Sequence, residues 1–297
     1  MSDAAEDAVL ARWHEGAISD EIALMQLLLS SEDLARVEAL VAREPALAAL
    51  LAANHAGCAR ICAMLRSGVD PGGDPAASVD EGLAQTRRLF DWSVGEDESA
   101  SVALYSLGSP AILARATAEI VALLDGWGVL AAGARVLELG CGTGRLAGPI
   151  AARVAEVVGI DVSSRMIEVA TRQHAGLANA RFRTVSGRDL AAFADGSFDL
   201  VLAADSFPYV VQAGAALVAT MCAEAHRVLA PGGSFAILSF AYGTTLAEDR
   251  AAVAAVARKS GFHVVVDGVT PFALWDARAF RLRRDGAQPT PTPSSAR

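Results

Sequence analysis

Apolar positions along the chain change their spacing near residue 130. Before that point they recur every three or four residues, the period of helices with one buried face. The run "SDEIALMQLLLSSEDLARVEALVARE" has Ser19 as N-cap of one helix, then a second start at Ser30 with Asp33 three positions on. Pro45 opens a helix over "PALAALLAANHAGCARICAMLRSG", with Gly68 as its C-terminal cap, and "DPGGDP" from Asp70 breaks the pattern. Ser78 and Glu81 form a capping-box pair for a helix running toward Phe90. Ser109-Pro110 starts another, along which Ile112, Ala116, Ile120, Leu123 and Leu124 repeat at helical spacing.

Beyond residue 130 short apolar runs alternate with helical stretches. The runs are "RVLEL" from Arg135, "VVGID" from Val157, "RFRTV" from Arg181, "DLVLAA" from Asp199 and "SFAILSF" from Ser234. Near-continuous apolar strands between helices predict a parallel sheet covered on both faces. "FHVVVD" from Phe262 and "AFRLRR" from Ala279 add two more strands. The predicted organisation is an all-helical N-terminal region over 1–108, an α/β core over 109–284 and a Pro/Ser/Thr-rich disordered tail over 285–297.

Composition narrows the class of protein. Hydrophobic residues make up 53% of the 297 and mean hydropathy is +0.35, a globular balance. No stretch reaches the ~20 unbroken apolar residues of a membrane span, so no membrane role is expected. The acidic opening "MSDAAEDAVLARWHEG" is unlike a secretory signal and predicts a cytoplasmic protein. A net charge of −9 without a Lys/Arg cluster argues against nucleic acid as a partner. His55, Cys58 and Cys62 can share one helical face, but no second ligand pair lies nearby, so the cysteines read as small core residues and no metal is expected.

The chemistry concentrates in "VLELGCGTGRLAGPIA" from Val136. Gly140, Gly142 and Gly144 form G-x-G-x-G, with Arg145 where a dinucleotide fingerprint has its third glycine. A strand precedes this turn, a helix follows, and the next strand ends in Asp161, 21 positions beyond Gly140. An acid at that strand end, read as exposed, accepts hydrogen bonds from both hydroxyls of a ribose.

"VLELGCGTGR", "VVGIDVSSRMIEVA", "GRDLAAFADGSFDLVLAADSFPYV" and "EAHRVLAPGGSF" together resemble class I S-adenosylmethionine-dependent methyltransferases in order and spacing, from about Ala134 to Arg284. The resemblance implies a Rossmann-like, doubly wound, mostly parallel seven-stranded sheet with one antiparallel strand. It implies S-adenosyl-L-methionine as cofactor, S-adenosyl-L-homocysteine as product and a small-molecule acceptor methylated at O, N or C.

The resemblance also implies roles. Gly140, Cys141, Gly142 and Gly144 would line the methionine part of the cofactor, and Glu138 would orient its ammonium group. Asp161 would hold the ribose diol, with Val162 and Met166 against the adenine. Asp189 would accept from the adenine amino group and the Leu190 amide would face a ring nitrogen. Ala204 would border the sulfonium, Tyr105 would approach the methyl end, and Tyr209 would either position the acceptor or pack under the sheet edge. "DSFPY" resembles the Asn-Pro-Pro-Tyr box of amino-group methyltransferases only in part, since Phe207 replaces the first proline. His226 reads as a structural histidine on an outer helix. The N-terminal helices are left open between a lid over the acceptor, a homodimer surface and a partner module. Two other classes stay in view: a cofactor-binding regulator or scaffold, and a nucleotide-cofactor oxidoreductase, which Arg145 in the third glycine position disfavours.

Overall fold

The structure, a computed structural model, describes residues 2–66, 76–96 and 103–286. Gly68, the "DPGGDP" break and the tail from residue 287 lie outside the described residues. Six helices come first: α1 (Ser2–His14), α2 (Asp20–Ser31), α3 (Leu34–Val41), α4 (Pro45–Ala53), α5 (His55–Arg66) and α6 (Val79–Glu96). A 3-10 turn at Leu104–Ser106 leads into α7 (Pro110–Gly126).

The alternating part follows as β1 (Arg135–Leu139), α8 (Ala147–Ala151), β2 (Glu156–Asp161), α9 (Ser164–Gln173), β3 (Ala180–Thr184) and β4 (Phe198–Ala204). It continues as α10 (Phe207–Gln212), α11 (Ala215–Val228), β5 (Leu229–Leu238), α12 (Leu246–Ser260), β6 (Phe262–Val269) and β7 (Ala279–Arg284). The strands form one seven-stranded sheet in the order β3-β2-β1-β4-β5-β7-β6, with β7 antiparallel to both neighbours and the rest parallel.

Local chemistry places several helix ends. Ser19 caps α2 by accepting the Ile22 amide proton, and Ser78 accepts from Glu81 at the start of α6. The third helix starts later than expected. Ser30 donates to the Gln26 carbonyl inside α2, and Asp33 becomes the cap by accepting from Ala35. The single helix expected from Pro45 is two, bent by 84° at Asn54. Asn54 turns its side-chain amide onto the Leu50 carbonyl, the local competition that lets Asn end a helix. Among the described residues no single helix is long and apolar enough to cross a membrane; only the bent α4–α5 pair reaches that length and composition, and Leu47, Leu51, Cys58 and Cys62 bury its apolar positions.

Alternate residues of the central strands β1, β2, β4 and β5 feed two cores. Val136, Val157, Leu200, Leu202 and Ala236 pack with α7, α8, the N-terminal helices and the 272–279 connection. Leu137, Val158, Ile160, Val201, Phe235 and Ile237 pack with α11 and α12 on the opposite face. The N-terminal helices therefore share one core with the sheet. Gln26 of α2 donates to Asp276, and Tyr105 stacks on Trp275 with ring centroids 5.1 Å apart.

Candidate active site

β1 lies between β2 and β4, so the chain winds outward in both directions from that point. Open α/β sheets bind ligands at such a switch, beyond the carboxyl ends of the strands. A groove is found there, enclosing about 990 Å³ of space that is partly open to solvent. The glycine turn forms its floor. Gly140 (φ +66°) and Gly142 (φ +54°) adopt backbone that side chains with a Cβ disfavour. At Gly140 a Cβ would also sit 2.5 Å from Ser206 Cβ, because the β4 loop crosses directly over the turn.

Asp161 is buried rather than exposed. One carboxylate oxygen accepts the Gly142 amide proton (3.0 Å) and the other the Ser163 amide proton (2.8 Å). The acid thus ties the end of β2 to the glycine turn, leaving lone pairs for a ligand. Burial raises its pKa, and the backbone donors oppose that rise. Glu138 is buried beside it, and its Oε2 has no hydrogen-bond partner. Burial, reinforced by Asp161 and opposed by Arg145, pushes its pKa up to about 8. A buried oxygen without a partner is costly unless a ligand supplies a donor. An ammonium group would supply that donor, and a ribose diol fits Asp161.

The remaining residues divide clearly. Glu138, Gly140, Cys141, Gly142, Asp161, Val162, Ala204 and Tyr209 all line the groove. Gly144 does not; a Cβ there would meet His174 and Phe182, so its freedom serves internal packing. Met166 is fully buried in a cluster with Val94 and Val169, behind the groove wall. The Leu190 amide, expected to face an adenine nitrogen, instead donates to the Glu224 carboxylate at 3.1 Å. Asp189 is exposed and accepts from Ala191 in a local turn. The wall near Val162 is formed by Val185 and Gly187 with Leu83 of α6.

Tyr105 is set back from the groove. Its hydroxyl meets the Arg145 guanidinium, and burial raises its pKa. Tyr105 instead lines a second, larger cavity, about 1860 Å³ on the same measure, between α1, α2, α5, α6 and the segments at Tyr242 and Trp275. The two cavities meet at Phe90, Asp205 and Tyr209, which line both. His226 packs edge-on to Phe262 away from either cavity. His55 pairs with Glu38 at the surface while Cys58 and Cys62 are buried in the core.

Sequence reasoning did not single out Arg145, Asp205, or Leu83, Thr86 and Phe90 of α6 as lining residues. Asp205 carried a readable signal, an acid immediately after an apolar strand run, the same placement that marked Asp161.

Sheet order, glycine turn and acid at the end of β2 are similar to those of class I S-adenosylmethionine-dependent methyltransferases. Residues 136–233, about a third of the chain, match the family model described as a methyltransferase domain. S-adenosylmethionine is the cofactor of this class, and Glu138 and Asp161 fit its ammonium and ribose. The chain is 33% identical over 164 residues to demethylmenaquinone methyltransferase of Clavibacter sepedonicus, covering 55% of this chain and 61% of that relative. It is 41% identical over 105 residues to ubiquinone biosynthesis O-methyltransferase of Xanthomonas oryzae pv. oryzae, covering 34% of this chain and 41% of that protein. The matches thus leave much of each relative's length unspanned. In fold it is similar to magnesium protoporphyrin IX methyltransferase of Synechocystis with bound S-adenosylmethionine (TM-score 0.51, 22% identity, 69% of this chain and 97% of that one).

Proposed function

We propose that the chain transfers the methyl group of S-adenosylmethionine to a small molecule held in the second cavity. The observation that carries this reading is the shared wall at Phe90, Asp205 and Tyr209, which borders both the cofactor groove and a separate, larger space. The cofactor supplies a methyl already activated on a sulfonium, so the protein's work is to bind, orient and exclude water. Glu138 holds the ammonium group, the Gly140–Gly142 backbone supports the methionine part, and Asp161 holds the ribose diol. Val162, Val185 and Leu83 flank the adenine, and Ala204 borders the methyl. Tyr209 and Phe90 direct the acceptor toward it, and the N-terminal helices act as the lid.

The test is calorimetry with S-adenosylhomocysteine on the full chain, followed by incubation with methyl-labelled cofactor and a small-molecule extract. Micromolar binding and label in low-molecular-weight product are expected. Absence of binding would overturn the reading, and label confined to protein or nucleic acid would overturn the choice of acceptor class.

A further inference from the structure

The junction between the two cavities is built around one strained acid. Asp205 is the first residue after β4 and has φ +59°, a left-handed conformation uncommon for a non-glycine residue. Its amide proton is committed to the Leu238 carbonyl at the end of β5, which holds the strained backbone in place. Its carboxylate accepts a hydrogen bond from the Tyr242 hydroxyl at 2.7 Å. Around it stand aromatic rings: Phe90 lies edge-on to Tyr209 (5.1 Å), Tyr209 edge-on to Tyr242 (5.8 Å), and Tyr105 and Trp275 form the stacked pair farther into the second cavity.

We propose that Asp205 accepts the proton of the methyl acceptor, that Tyr242 positions its carboxylate, and that the acceptor is a hydroxylated aromatic ring seated in this aromatic cavity. The proposal rests on the methyl-transfer reading above. A bond forms between the phenolic oxygen and the methyl carbon as the carbon–sulfur bond of the sulfonium cofactor breaks, its electron pair staying on sulfur. The hydroxyl proton passes to the Asp205 carboxylate and then to solvent through the second cavity.

The surroundings of Asp205 suit this role. The titratable groups facing it are Tyr242, Tyr209 and Tyr105, with the Arg145 guanidinium favouring its charge and the Asp276 carboxylate opposing it. Burial outweighs the favourable contacts and lifts its pKa to about 7. A base that titrates near neutrality is the one best matched to proton removal there. A carboxylate destabilised by burial gains more from taking a proton than one already satisfied by a salt bridge.

The test uses the full chain and the Asp205→Asn and Tyr242→Phe variants, since Asn tolerates the left-handed backbone. In protein labelled at the aspartate carboxyl carbon, one resonance should titrate near pH 7 and vanish in Asp205→Asn. That variant should bind S-adenosylhomocysteine within threefold of wild type and transfer methyl to 1-naphthol or catechol at least ~10²-fold more slowly. For the wild type, kcat/KM should rise with pH through about 7 and level off. Tyr242→Phe removes a hydrogen bond that favours the charged carboxylate, so its profile should move upward by about one pH unit and recover the wild-type plateau. All aspartates titrating below pH 5, unchanged transfer in Asp205→Asn, or a loss of cofactor affinity equal to the loss of rate would each overturn the proposal. So would a wild type that binds S-adenosylhomocysteine yet methylates neither phenol, or prefers 1-naphthylamine. A wild type that binds no S-adenosylhomocysteine would instead sink the methyl-transfer reading itself.

Discussion

Replacing Asp161 by alanine should damage cofactor binding and the glycine turn together. The carboxylate is 6% exposed, and its two oxygens hold the Gly142 and Ser163 amides at 3.0 and 2.8 Å. A buried amide left without an acceptor costs about 1–3 kcal/mol. Some rehydration from the groove offsets this, so the pair should cost roughly 2–4 kcal/mol in stability. In a chain of this size that lowers Tm by roughly 3–6 °C. The ribose loses its charged acceptor as well, worth at least about 2 kcal/mol, or roughly a thirtyfold weaker Kd. Urea melts followed by circular dichroism report the first quantity, and calorimetry with S-adenosylhomocysteine at about 25 °C the second. Asp161→Asn, which keeps one acceptor oxygen, should fall between wild type and alanine in both. A folded Asp161→Ala protein with Kd within threefold of wild type would refute the ribose assignment. Wild-type stability in the same variant would refute the idea that this acid holds the turn.

Glu138→Gln should weaken S-adenosylhomocysteine about tenfold, because glutamine cannot give up a proton to become the carboxylate that faces the ammonium; unchanged calorimetry would argue against that contact. The same variant has a pH signature. Glu138 binds its proton more tightly folded (about 8) than unfolded (4.5), so wild-type stability falls as pH rises across that window. Urea melts should show the Glu138→Gln variant gaining on wild type as pH rises through the same window, and a constant difference would contradict the shift. Gly142→Val should abolish cofactor binding, since a β-branched side chain meets both the ligand and a φ of +54°; normal binding would mean the turn does not touch the cofactor. Leu65→Trp fills part of the second cavity and should raise the acceptor KM or cut transfer at least tenfold while S-adenosylhomocysteine affinity holds; equal losses in both would detach that cavity from the acceptor.

Periodicity exposed most of this architecture. The central strands β1, β2, β4 and β5 were legible because a strand buried on both faces needs nearly every side chain apolar, whereas the edge strands β3 and β6 are largely exposed. The helix starts marked by the Ser19 cap and by Pro45 in the first turn were equally readable, being local chemistry. The division at Asn54 was not, because one polar side chain folding back on Leu50 leaves the apolar spacing intact. In the site, residues bound to the turn by short spacing were legible: Glu138, Gly140, Gly142 and Asp161 line one groove. Leu190 and Met166 were placed by resemblance, and partners distant in sequence claimed them, Glu224 for the Leu190 amide and Val94 for Met166. The wall supplied by α6 was hidden for the same reason: Leu83 and Phe90 reach the groove only through tertiary packing.

The contact between the first helices and the last loop bears on how the chain is made. Gln26 and Asp276 are 250 positions apart, and Trp275 closes against Tyr105 from the same loop. At synthesis rates of about 5–20 residues per second, α2 waits roughly 10–50 s before that partner emerges from the ribosome. During this interval the core that takes up Leu24, Leu27 and Leu28 is incomplete, lacking the 272–279 connection. Codon choice, ribosome pausing and chaperone access over the second half of the message therefore act on the first helices, long after those residues have been translated.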